Sequence, residues 1–165
     1  MTARFPKTQS FVNASLLPDR RERASRSVHL AGHAVACVMA GHPVPNITLD
    51  DRGGCPSIAL HEGNVGDVHA AAVTVMAGAA AERAYTGANG PLWAQERVST
   101  DYWRCHERLG EDGTYGEYRK AELWVQEAAP YIDTVSFALL RHKSLDNSEI
   151  RSALRLHHPD RNWNR

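Results

Sequence analysis

Apolar positions along the chain recur mostly at helical spacing, which predicts a mainly α domain with a small β-hairpin or edge sheet. From about residue 22 to 40, Val28, Ala31, Val35 and the pair Val38-Met39 return every three or four positions, the period of a helix with one buried face. Gly41 followed by Pro43 predicts its end. Residues 45–49 and 56–61 are short strand candidates on either side of a Gly-Gly turn, which suggests a small hairpin. Residues 65–86 are apolar on nearly every side, with Val68, Ala71, Ala72, Val75, Ala79 and Ala80. Small side chains all round predict a central, closely packed helix. A loop is expected over 87–96. Helical segments follow at 98–109, with Ser99 or Thr100 near the N-cap, and then at 115–129 and 131–143. Gly110, Gly113 and Pro130 are the expected interruptions. Residues 144–147 read as the cap of a last short helix ending near 156, with Glu149 in its first turn.

This pattern divides the chain into an irregular segment at 1–24, one domain at 25–156 and a polar, frayed tail at 157–165. Pro6 and Pro18 interrupt the first segment, and the charge run at 19–23 reads as a solvated helix start or tether. A length of 165 residues suits a single core. The formal net charge is zero, so no bulk attraction to nucleic acid is expected. No apolar run is long enough for a membrane span, and the start lacks a secretory apolar core. The three cysteines include no C-x-x-C pair, so a disulfide framework is not expected and a reducing, cytoplasmic setting is. Nine histidines, by contrast, make a metal worth considering.

His29 and His33 lie four residues apart in the first predicted helix, where such positions share a face. Two imidazoles so placed can converge on one metal ion. The spacing is that of the metallopeptidase pattern H-E-x-x-H, whose glutamate is the general base; here that position holds Leu30. A catalytic zinc usually takes three protein ligands and keeps a fourth position open, so a further ligand is expected from elsewhere in the chain.

The segment His29-Leu30-Ala31-Gly32-His33-Ala34 resembles the H-E-A-G-H-A signature of the FtsH-type peptidase domain, the proteolytic half of membrane AAA proteases. The stretch from Val75 to Glu82 resembles that family's apolar run ending in G-R-A-A-E. Ser99-Thr100-Asp101-Tyr102 resembles its segment S-N-D-L, whose aspartate is the third zinc ligand. Leu139-Leu140 and the stretch from Ser144 to Ile150 resemble its C-terminal helix, turn and short helix. The likeness runs in order over residues 25–156. It implies a zincin-like, mostly helical fold with Zn2+ held by His29, His33 and Asp101. It also implies a peptide or unfolded-protein substrate and assembly into a homo-oligomer.

The chain departs from that pattern at Leu30, in having no G-x-x-x-x-G-K-[ST] phosphate loop, and in lacking membrane spans. ATP-driven unfolding would then fall to a separate unfoldase. Leucine cannot accept the proton of a metal-bound water, a service worth about a hundredfold to ten-thousandfold in rate. Impaired catalysis is therefore expected, with Glu62 and Glu82 as weak substitutes for the base. Cys37, one turn beyond His33, and Cys105, one turn beyond Asp101, read as small core residues more readily than as ligands. The alternative function is a non-catalytic module that keeps the peptidase fold to bind peptides or a partner, with or without metal. A third reading has no metal and two histidines that merely pack.

Overall fold

The computed structural model describes residues 18–44, 46–49, 68–88 and 96–163. The elements in order are α1 (Pro18–Met39), β1 (Ile47–Thr48), α2 (Val68–Thr86), α3 (Glu96–His142), β2 (Ser144–Leu145) and α4 (Asn147–His157). Helices α1, α2 and α3 pack against one another around a single apolar core, with α4 set against α3. Among the described residues, no helix is long and apolar enough to cross a membrane.

Helix α1 starts at Pro18, so part of the expected irregular segment is helical. Proline suits the first helical position because its missing N–H has no partner there in any case. Residues 20–22 of the charge run are exposed and Arg23 is half-buried, with Glu22 Oε1 paired to Arg26 Nε at 3.0 Å. The helix ends as expected at Gly41, which takes φ 79°. His42 N–H then donates to the Cys37 carbonyl at 2.9 Å, closing the final turn.

Helix α2 is the buried centre: Met76, Ala77, Ala79, Ala80 and Ala81 are all at or below 1% exposure. Its small side chains let α1 approach closely. A Cβ on Gly32 would lie 2.7 Å from the Ala77 carbonyl oxygen, 2.9 Å from Ala81 Cβ and 3.0 Å from Gly78 Cα. Only a glycine leaves room for that crossing.

Helix α3 corrects two expected breaks. It runs through Gly113 and Pro130 and is interrupted only at Gly110, with φ 69° and ψ −176°. The reason is a stripe of buried residues alternating three and four apart: Tyr118, Ala121, Val125, Ala128, Ile132, Val135 and Leu139. Pro130 is exposed, off this stripe, and its carbonyl accepts a bond from the Thr134 hydroxyl. Interior proline costs about 3 kcal/mol, which burial of several aliphatic side chains at about 1.5–3 kcal/mol each exceeds.

The edge sheet is not described as the expected hairpin. β1 pairs antiparallel with β2, Ile47 opposite Leu145 and Thr48 opposite Ser144. The expected second strand, residues 56–61, lies outside the described residues, as do residues 1–17, Cys55 and Glu62. Asp146 then caps α4 in a capping box with Glu149, and Ile150 and Leu154 face the core. The tail differs from a frayed end. Trp163 is buried, its Nε1–H donates to the His158 carbonyl at 2.9 Å, and its own carbonyl accepts from Arg151. Arg161 lies over the Tyr131 and Trp163 rings, 5.2 Å from each centroid.

Candidate metal centre

Three helices place four ionisable side chains in one buried cluster. Residues Ser25, His29 and His33 follow each other at four-residue intervals on α1, so they share a face. Helix α2 brings Glu82 and the Thr74 carbonyl to that face, and the first part of α3 brings Asp101. His29, His33, Asp101 and Glu82 are all below 8% exposure.

The hydrogen bonds assign the tautomers. His33 Nδ1 lies 3.0 Å from the Thr74 carbonyl oxygen. A carbonyl only accepts, so Nδ1 carries hydrogen. His29 Nδ1 lies 2.9 Å from Glu82 Oε2, and Glu82 Oε1 accepts from the Ser25 hydroxyl at 2.6 Å. His29 Nδ1–H is thus the donor to a carboxylate held from its other side. With Nδ1 so engaged, both rings turn Nε2 toward the same point.

That point is short of positive charge. The two Nε2 atoms are 3.1 Å apart, and each is 3.4 Å from Asp101 Oδ2. The three donor atoms lie within 4.8 Å of one another. Asp101 Oδ2 is buried and makes no hydrogen bond among the described residues. Three converging lone pairs repel unless a cation sits among them. A proton can serve for one pair: burial works against charge on His33, but the Asp101 carboxylate and the Thr74 carbonyl outweigh it and raise its pKa above the ordinary value. A metal ion satisfies all three atoms together, and the donor set of two imidazoles and one carboxylate suits one. The His29–Glu82 and His33–Thr74 bonds have the form of the outer contacts that orient metal-bound histidines.

The structure thus brings His29, His33 and Asp101 together as the sequence analysis expected. It gives Glu82 a different place from the suggested substitute base. Both its oxygens are engaged, and it stands behind His29, on the Nδ1 side. Leu30 is 2% exposed and belongs to the apolar core. Cys37 and Cys105 are buried thiols outside the three-atom group. Three contributors were missed: Ser25, Thr74 and Gly78. Ser25 could have been found one turn ahead of His29. Gly78 could have been found as a lone glycine in an apolar helix, and the Thr74 carbonyl carries no sequence signal.

The buried thiols predict the alkaline limit of the fold. Burial pushes the Cys37 thiol up to about 11. Burial, with the Asp101 and Glu117 charges, pushes Cys105 up to about 12. Burial and the Glu122 charge hold the Tyr118 phenol at about 12. Unfolded thiols titrate near ~8.5, so above that pH the unfolded chain binds fewer protons than the native one. The stabilisation is complete below pH ~8.5 and is lost as pH rises toward the native values. The thermal midpoint is expected to hold level to about pH 8 and then fall, and Cys105→Ala to flatten part of the fall. A midpoint unchanged from pH 8 to 11 would contradict this burial.

No protein-family model matches the chain, and no curated protein matches it, so the three-helix His29–His33–Asp101 cluster itself has to carry the functional reading.

Proposed function

We propose that this chain is a zinc-binding, metallopeptidase-like domain of the FtsH type in which the hydrolytic step is impaired. One observation carries the reading: three possible donor atoms on α1 and α3 converge in a buried site, with the Nδ1 of both histidines engaged by Glu82 and the Thr74 carbonyl. His29, His33 and Asp101 would hold the ion. A bound zinc would supply a water with a pKa near ~7 and a Lewis acid for a peptide carbonyl.

The chain's own residues do the rest only in part. Glu82 and Thr74 keep the Nδ1 protons in place and leave Nε2 free for the metal. Gly78 leaves space for the His33 ring. No residue described beside the cluster stands free to take a proton from the attacking water and pass it to the leaving amine. Leu30 offers no group for it. The substrate class is a peptide or unfolded protein segment, delivered by a separate unfoldase where folded proteins are concerned, and self-association into a ring accords with the resemblance.

Leu30 also favours a second reading, a module that keeps the fold and binds peptides without cutting them. Metal analysis of the purified chain tests the common part. About one equivalent of zinc is expected, and none in His33→Ala. A digest of a permanently unfolded protein then tests the impairment. Negligible zinc-dependent cleavage is expected, and vigorous cleavage that stops on chelation would overturn it.

A further inference from the structure

We infer that residues 96–109 of α3 form an arm, hinged at Gly110, that is locked into the centre by the bound cation. This rests on the metal-binding reading above. Gly110 is the one interruption in α3, and its positive φ disfavours other residues. A Cβ there would meet nothing within 4 Å, so the glycine is required by backbone conformation and not by packing.

The two sides of the hinge are held differently. Beyond it, the buried stripe from Tyr118 to Leu139 fixes the helix to the core. Before it, the described inward-facing side chains are Asp101, Tyr102 and Cys105, with Leu109 half-buried. Trp103, Arg104, Glu107 and Arg108 are exposed. The arm inserts a carboxylate whose buried Oδ2 makes no hydrogen bond among the described residues and lies 3.4 Å from each imidazole Nε2, while Tyr102, Cys105 and Leu109 are its described contacts with the core. Such an oxygen opposes docking until a cation or a donor meets it. A helix of this length is also marginal when detached. Loading of the ion thus strengthens docking of the arm, and Asp101 is both the ligand and the latch.

Hydrogen exchange on the full chain, with zinc and after chelation, tests the coupling. Zinc is expected to slow exchange in 96–109 by about tenfold or more while leaving 118–139 unchanged. In Asp101→Asn the amide can donate to an imidazole Nε2, so the arm should be protected without zinc and unresponsive to it. Zinc bound at one equivalent with equal protection of 96–109 in both states would overturn the arm while leaving the metal reading intact. Equal loss across 96–109 and 118–139 on chelation would overturn it as well, because the arm would not be a separate unit. Failure of zinc to bind at all would remove both proposals.

Discussion

Alanine at Gly78 is expected to cripple metal binding with a single methyl group. The added Cβ would sit 2.5 Å from His33 Cδ2, 2.7 Å from Cε1 and closer still to Nε2. Carbon atoms in contact need about 3.5–4.0 Å, so the ring must leave or the helices must part. Parting the helices would open the close crossing at Gly32 and expose buried α1 and α2 side chains. The imidazole is then the group that moves. Its departure removes one of three donors and breaks the Nδ1 bond to Thr74. Zinc affinity should fall by more than about a hundredfold, the upper end for loss of an outer contact alone. Stability should fall by about 1–3 kcal/mol, as for overpacking elsewhere. The same change at Gly116 is the control. That position is exposed in α3 with nothing within 4 Å of an added Cβ, so Gly116→Ala should stabilise by about 0.5–1 kcal/mol. Isothermal titration with zinc and thermal melts of the two variants separate the effects. Unchanged zinc affinity in Gly78→Ala would mean that the ring and the helix crossing are not where the structure has them.

The helices and the histidine pair were legible because both depend on local spacing, whereas Asp101 was reached only through the resemblance of Ser99-Thr100-Asp101-Tyr102 to S-N-D-L. His29 and His33 share a face by helical arithmetic alone, and α1, α2 and α4 end where Gly41, Thr86 and the last periodic residues say they should. The remaining features depend on contacts between distant parts of the chain. β1 and β2 have two residues each, too few to show alternation, and Thr48 and Ser144 meet across 96 residues. Pro130 is a local breaker, but the buried three-four stripe on either side of it decides the outcome. Trp163 is one aromatic in a polar tail, with no periodic neighbour to announce its burial. Glu82 drew attention from its surroundings in sequence. Its place behind His29 is set by the angle at which α2 crosses α1, which no spacing encodes. The same crossing makes Gly78 part of the centre.

If the proposed zinc reading holds, glutamate at position 30 is expected to give a working peptidase. Residue 30 follows His29 by about 100° around α1, so it flanks the histidine face instead of sharing it. In the parent chain the position is 2% exposed and apolar. A carboxylate placed there has two fates. Were zinc held by His29, His33 and Asp101, a carboxylate at position 30 would supply the proton acceptor that leucine lacks. Cleavage of an unfolded protein should rise by about a hundredfold to ten-thousandfold over the parent. Without zinc, the same carboxylate is a charge in an apolar core, and it should destabilise the fold by several kcal/mol or take up a proton. The variant should therefore show a larger zinc-induced rise in melting temperature than the parent. Leu30→Gln separates the two effects: it matches the glutamate in size and accepts no proton, so it should bind zinc and leave cleavage at the parent level. If Leu30→Glu is folded and zinc-loaded yet cleaves nothing, the binding-module reading gains and the missing base is not the reason for inactivity. If the parent already cleaves as fast as the variant, a proton acceptor other than residue 30 must serve the site, and Glu62 would be the first residue to replace.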